Sequence, residues 1–430
     1  MRHAIFPHRG AMTAATAAAL IVCLVLFAAS SAVAGIRRTN GQLVELDVSP
    51  GVSLKPGAVE SDTEAIVFLE CYDACLGTSL AVDIDTPDTY TDATLSPGVI
   101  PAGTSINSYV IHADPVTGGG GTKVSFSGSV RFEERILGVI VLTATLDASD
   151  GLCTHGIVYP TSEEPLRGLE MNTGTHLVEV GNNSIEIDVP VGSAVEQIRV
   201  ITKAMDHFTV YTMAEQPPVS FSVETRGQFD RQLIPGELTT WSYFANPVGK
   251  NDCGINRPNA HFMWYALEQE ETARPGNREL EIENQFGETS ITVGAPRYLM
   301  VPAEKTSDED SNFPGRLDHY KCYEVLDGDA PAVPVDLADQ WSTAEGLVVG
   351  EPLYFCVPVR KVVDGEGMRP RDRTDHFFVY SVPGGGFPEQ GPLFRSQDQF
   401  SGDDEWRNRA AARVMLCVPT LKNEVTYLGD

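Results

Sequence analysis

The sequence predicts an all-β protein: an N-terminal jelly-roll-like β-sandwich followed by four tandem β-rich repeats. Three observations carry this expectation. Gly and Pro are plentiful, at 39 and 28 of 430 residues, and long helical patterns are scarce, which favours short strands and many turns. Between residues 40 and 203, short β-rich runs alternate with turn clusters. From residue 207 onward the same anchors recur four times at fixed spacing.

Residues 1–34 read as an export signal. Arg2 and Arg9 give a positive start, 14–29 is an uncharged apolar run, and Ala32-Val33-Ala34 before Gly35 fits the small-x-small cleavage rule. Cys23 lies inside the apolar run behind bulky Val22, which argues against a lipid anchor there. No second apolar stretch is long enough to span a bilayer, and residues 425–430 carry no sorting tail. The expectation is a soluble protein, secreted or otherwise extracytoplasmic after cleavage near Ala34. Removing Arg2 and Arg9 would take the formal net charge from −28 to −30. Such a surface repels phosphate backbones and anionic lipid, so nucleic acid is excluded as a partner. The acids are dispersed, as expected of a solubilising surface.

The first unit, residues 40–203, contains β-rich runs at 43–48, 65–70, 79–84, 105–112, 123–132, 136–146, 176–180, 184–189 and 197–201. Turn clusters such as Ser49-Pro50-Gly51, Pro97-Gly98 and Gly181-Asn182-Asn183 separate them. Nine short strands at this spacing suggest two packed sheets. Residues 118–121 are all Gly and read as a loop, because no Lys-Ser/Thr follows in phosphate-loop register. Asp83, Asp85 and Asp88, with Asp92 beyond, form a loose acidic run around Pro87. Oxygen ligands at that spacing make calcium the one cofactor to consider, although the glycine and closing Glu of an EF-hand are missing. A solvated strand end and turn is the plainer reading. The residues Arg131 to Ile140, then Leu146-Asp147-Ala148-Ser149-Asp150, then Gln197 to Thr202, resemble a β-sandwich domain of secreted bacterial proteins. That resemblance covers about residues 50–202 and implies an extracellular sandwich without assigned chemistry.

The second unit, residues 204–430, holds the repeats, at about 207–250, 261–305, 319–361 and 376–422. Each has His and, four residues on, Tyr: His207/Tyr211, His261/Tyr265, His319/Tyr323 and His376/Tyr380. Each has Gln before an aromatic: Gln228-Phe229, Gln285-Phe286, Gln340-Trp341 and Gln399-Phe400. Each closes on Pro, two residues, Lys: Pro247/Lys250, Pro302/Lys305, Pro358/Lys361 and Pro419/Lys422. In a strand alternate residues share a face, so each His and Tyr point the same way, and both faces are apolar enough to be covered. Four equivalent histidines invite a metal ring, but His needs convergent partners for that. The alternative is a half-buried His that fixes the start of its strand. His319-Tyr320-Lys321-Cys322-Tyr323, with Phe355-Cys356-Val357-Pro358 and Leu416-Cys417-Val418-Pro419, resembles a repeat of unknown function in exported bacterial proteins. The first two copies depart from it, with Val210 and Trp264, then Ala245 and Met300, at the cysteine positions.

Seven cysteines remain after cleavage, in a compartment where disulfides persist. Cys322 and Cys356 occupy equivalent offsets on opening and closing strands and are expected to bond. Cys71 and Cys75 flank Tyr72-Asp73-Ala74 as a bond across a hairpin tip would. Cys253 is then a candidate mate for Cys417, which leaves Cys153 free. Residues 404–413 are the one stretch whose Ala and Arg favour helix.

No catalytic motif appears. Ser127-Gly128 follows Phe126 where a nucleophile elbow needs Gly, and carboxylate pairs such as Glu133/Glu134 and Glu163/Glu164 are commonplace in so acidic a chain. Of the four Trp, Trp406 beside acidic residues is the best candidate for an exposed aromatic. The expectation is a non-enzymatic protein that binds or scaffolds at the cell exterior, with extracellular carbohydrate or protein as partner. The alternative is a secreted hydrolase or lyase acting on polysaccharide. An acidic cluster in an aromatic-lined cleft would favour the enzyme.

Overall fold

The computed structural model describes residues 35–46, 51–91, 94–116, 124–153, 156–161, 166–169, 176–192, 195–269, 276–306, 317–387, 390–401 and 406–427. The expected export signal at 1–34, the four glycines at 118–121, Asp92, Glu163/Glu164 and the start of the 404–413 stretch lie outside them.

The described chain is nearly all β, with one seven-residue helix, Thr143–Ser149. The described strands up to Lys203 form two five-stranded sheets and a two-stranded ribbon, Leu80–Val82 with Gly98–Ile100. One runs Ile36–Gly41, Val124–Phe132, Ser184–Val191, Leu177–Val180, Asp88–Thr91; the other runs Leu43–Glu45, Ala65–Cys75, Ser105–Ala113, Glu196–Lys203, Ile136–Ile140. Alternation makes the first sheet one-sided: in Ser184–Val191, Ile185, Ile187, Val189 and Val191 are buried between less buried neighbours. They meet Val67, Tyr109, Ile111 and Val200 of the second sheet in a common core. The second sheet is covered on both faces, and all of Ser105–Ala113 is buried. On its far side Arg199 makes a two-pronged ion pair with Glu70, at 2.8 and 2.6 Å. A buried charge of this kind is tolerated because it is paired and hydrogen-bonded.

From His207 onward all strands join one fifteen-stranded sheet, and eight of them close on themselves. In ring order these are His207–Met213, Ile234–Lys250, His261–Gln269, Gly287–Thr306, Tyr320–Asp327, Pro352–Pro358, His376–Gly386 and Trp406–Tyr427. Each pairs antiparallel with the next, and the last pairs back onto the first. Each recurring segment therefore contributes its opening and its closing strand to an eight-stranded barrel. A barrel of that size is filled by its own side chains. Phe208, Phe262, Tyr320 and Phe377 form a closed ring of three edge contacts and one tilted contact inside it, with centroids 5.0 to 5.8 Å apart. Val210, Ala245, Trp264, Met300, Cys322, Cys356, Val379 and Cys417 pack against them.

The middle of each segment leaves the barrel and lies outside it. Pro218–Arg226 pairs with Arg360–Val363, and Arg278–Asn284 pairs with Trp406–Tyr427. Pro334–Ala338 pairs with the end of Ile234–Lys250, and Leu393–Gln397 with the end of Gly287–Thr306. Every arm thus reaches the closing strand two segments away or, for the first arm, the strand directly after it. A single segment has nothing to cover its outer face, so the stability of the four is shared.

Two elements differ from the sequence reading. The run 136–146 ends as a strand at Ile140, because buried Asp83 takes the N–H groups of Val141 and Leu142 and the Thr145 hydroxyl, starting the helix. The 404–413 stretch, where described, is strand: it pairs with Leu393–Gln397 and His207–Met213, and those ladders override helix propensity.

Candidate functional site at the barrel mouth

The repeat anchors converge at the end of the barrel where the opening strands begin. Each closing Lys lies over the aromatic of the following segment: Lys250 over Phe286, Lys305 over Trp341, Lys361 over Phe400 and Lys422 over Phe229, at 4.8 to 6.0 Å. The adjoining Gln side chains reach back as well. Gln285 bonds His207, Gln228 bonds His376, Gln399 bonds His319, and Gln340 bonds Lys305. Each Tyr meets the acid or amide two segments away. Tyr211 donates to Asp339 and Tyr265 to Asp398, both at 2.7 Å, and Asn284 donates to Tyr380 at 3.1 Å.

Burial sets the charge of these groups. It lowers all four histidines, His376 to about 3, with the neighbouring Lys adding to the effect. It also lowers Lys305 and Lys361 to about 7 and Lys422 to about 8. The histidines are neutral and fix the strand starts; His207, His319 and His376 are partnered by Gln or Lys, and His261 by the Ala245 backbone. Among the described residues no three His, Cys, Asp or Glu are placed to hold a metal ion.

The sandwich caps this mouth through Cys71 to Cys75. There the strand bulges against its neighbour, and Asp73 takes a φ of 49°. The bulge places Asp73 Oδ2 3.2 Å from His207 Nε2, and the Tyr72 hydroxyl 3.5 Å from Asp375. Asp73 supplies a carboxyl beside His207 and Lys250, and its pKa is raised by burial. Arg257 pairs with Glu134, and the Asn256 amide bonds the carbonyls of Ser105 and Ala204.

Between the sandwich and the mouth lies a cavity of about 330 Å³. Its floor includes the four interior aromatics, and its wall includes Glu133, Glu134, Asp206, Asp318, Asp372 and Asp375, with four Arg. Asp206 accepts the N–H groups of Asn256 and Arg257, at 2.6 and 2.7 Å; Asp318 accepts those of Arg371 and Asp372, both at 2.9 Å. Each therefore braces the loop that leads into the next histidine. Asp375 stands at the same offset, but the segment that follows it in the ring is the first, entered from the sandwich, and Tyr72 faces it instead. Desolvation raises Glu133 to about 7 and Asp206 to about 6, and raises Asp318, Asp372 and Asp375. An acidic cleft with an aromatic floor is thus present. The rings, however, are at most 4% exposed and pack on one another, so they offer no stacking face.

The calcium candidates do not converge. Asp83 is buried and occupied by the helix start, while exposed Asp85 accepts from Ser96 and exposed Asp88 from the Thr89 amide. Cys322 and Cys356 face each other in register and are bonded. Cys71 and Cys75 are not bonded to each other: Cys71 joins Cys153, and Cys75 joins Cys253. Among the described residues Cys417 is the free thiol, buried in the barrel, so the pairing expected with Cys253 is replaced. Trp406 is half-buried, edge-on to Trp241 with centroids 5.7 Å apart, and is not an exposed platform. Sequence reasoning missed Tyr72 and Asp73, although Cys-Tyr-Asp-Ala-Cys was visible; only the fold shows which strand they meet.

A family model described as a repeat of unknown function, DUF7450, matches residues 261–400. That span runs from the second histidine to the aromatic after the fourth Gln. No curated protein and no solved structure matches the chain. No helix among the described residues is long and apolar enough to cross a membrane.

Proposed function

We propose that this chain is an exported, non-enzymatic protein that binds or scaffolds at the cell exterior, with extracellular carbohydrate or protein as its partner. The carrying observation is the closure of the repeat chemistry on itself. The His, Lys, Gln, aromatic and Tyr residues that recur four times meet one another on the outer face of a barrel whose interior is filled. Three disulfides among the described residues support an oxidising compartment, as does the Arg-flanked apolar run near residue 20. The cavity at the junction is the site offered to a ligand, because it is concave and carries convergent polar groups.

The second reading, a polysaccharide hydrolase or lyase, draws on the same cavity. Glu133, lifted to about 7, has the acidity a general acid needs near neutral pH. One experiment separates the two. Purified protein is incubated with a panel of extracellular polysaccharides and assayed for retention, new reducing ends and unsaturated products. Retention without turnover supports the binder. Turnover that disappears in Glu133→Gln would replace it with the enzyme.

A further inference from the structure

The four segments depart from their shared pattern at two positions, and the departures meet. Two residues after the histidine the segments carry Thr209, Met263, Lys321 and Phe378, so only the third has a basic residue there. The acid or amide of the Gln-aromatic motif precedes Gln in three segments, as Asn284, Asp339 and Asp398; in the first it follows the aromatic, as Asp230. On the outer face of the barrel, beside the arm of the first segment, Lys321 Nζ stands 2.5 Å from Asp230 Oδ2, and both side chains are fully buried.

We propose that Lys321 and Asp230 condense spontaneously to an intramolecular amide, cross-linking the first and third segments. Three features of the surroundings favour reaction over a lasting ion pair. The first is proximity. A carboxylate C–O bond is about 1.2 Å long, so Nζ lies within roughly 3.7 Å of Cγ, near attack distance. The second is desolvation. Burial lowers the Lys321 pKa against the opposing pull of Asp230, which favours the uncharged, nucleophilic amine. The amide product removes both charges from a fully buried site. The third is the placement of donors. The Gly227 N–H donates to Asp230 Oδ2 at 2.6 Å, where negative charge develops during attack. Thr225 Oγ1 is 3.3 Å from Nζ, and the Tyr323 hydroxyl sits beside the same carboxylate, with its ring 5.5 Å from Nζ.

The balance is simple. The ammonium passes one proton to Asp230 Oδ1, and the freed lone pair forms the Nζ–Cγ bond. Oδ2 carries the negative charge in the tetrahedral adduct, facing the Gly227 N–H. A second proton moves from Nζ to Oδ1 within the adduct, and the Cγ–Oδ1 bond breaks. Water leaves, one hydrogen stays on the amide nitrogen, and no oxidant or co-reactant is needed.

The test is an intact-mass measurement on the whole secreted chain, reduced and denatured, with peptide mapping. The expected mass is one water below that of the sequence, with a branched peptide joining the Lys321 and Asp230 regions and no tryptic cleavage after Lys321. The double variant Lys321→Met/Asp230→Asn leaves no unpaired charge, and Met263 already fills the equivalent place in the second segment; its mass should be undiminished. Wild-type protein at full mass, or with both residues recovered mainly in linear peptides after prolonged incubation, overturns the proposal.

Discussion

Lys361 Nζ stands 2.6 Å from His319 Nε2, a contact within one segment that spans its whole length. The ring under Lys361, Phe400 at 4.9 Å, belongs to the next segment. One lysine therefore closes its own segment and clamps its neighbour.

That contact predicts a pH-dependent mutant. Burial lowers Lys361 to about 7 from an ordinary 10.5. Between those values the unfolded chain holds a proton that the folded chain does not, so this group's contribution to stability is full at alkaline pH and lost as pH falls towards 7. Lys361→Met removes the His319 bond at every pH, but it also removes the cost of burying an ammonium. It should destabilise by about 1–2 kcal/mol near pH 9.5 and by less near pH 6. Urea denaturation at the two pH values checks this. A larger loss at the lower pH would show that Lys361 is folded in its charged form.

The interior aromatics make a prediction about the barrel as a unit. Phe262 touches Phe208, Tyr320 and Phe377, which come from the other three segments. Phe262→Ala should cost about 3–5 kcal/mol, since four strands cannot all move inward to fill the void. Leu393→Ala, at a residue 67% exposed, should cost under about 0.5 kcal/mol. Similar midpoint shifts for the two variants would mean that the barrel core is not close-packed.

How much of this was legible in the sequence depends on the range of each interaction. The strands were legible because His319 and Tyr323 alternate with Tyr320 and Cys322 on two faces, and alternation is local. The bond from Cys322 to Cys356 followed from equivalent offsets in one segment. Contacts between segments were not legible. The spacing shows that Gln285 repeats, but not that it bonds His207, because closure of the ring is a property of all eight strands together. Asp73 was hidden for a related reason: it reaches His207 and Lys250 from the sandwich. Cys75 and Cys253 lie 178 residues apart, so no local rule could pair them.

That bond makes the third prediction. Cys75–Cys253 ties the bulge carrying Tyr72 and Asp73 to the barrel. In the chain-entropy model a loop of this length is worth at most about 5 kcal/mol. Cys75→Ser/Cys253→Ser should separate one melting transition into two in scanning calorimetry, with the barrel melting last. The native double variant should still protect Cys417, whose buried thiol is pushed up in pKa. A single unchanged transition would show that Arg257, Asn256 and His207 hold the junction without the disulfide.

The last prediction concerns the cavity wall and has the opposite sign to the first. Burial raises Glu133 to about 7 from 4.5, and nearby Asp372 and Asp318 add to the shift, while Arg37, at 4.0 Å, opposes it. Between those values the folded chain holds a proton that the unfolded chain has released. The group's stabilising contribution is therefore full below about pH 4.5 and is lost as pH rises through about 7. Glu133→Gln cannot ionise. Relative to wild type it should be neutral or slightly destabilising at acid pH, then gain about 1–3 kcal/mol by about pH 8, as wild type comes to bear a buried carboxylate. Denaturation curves for both proteins across that range decide it. Parallel pH profiles would mean that the Glu133 carboxylate is solvated at the junction, and that the cavity presents a charged wall at neutral pH.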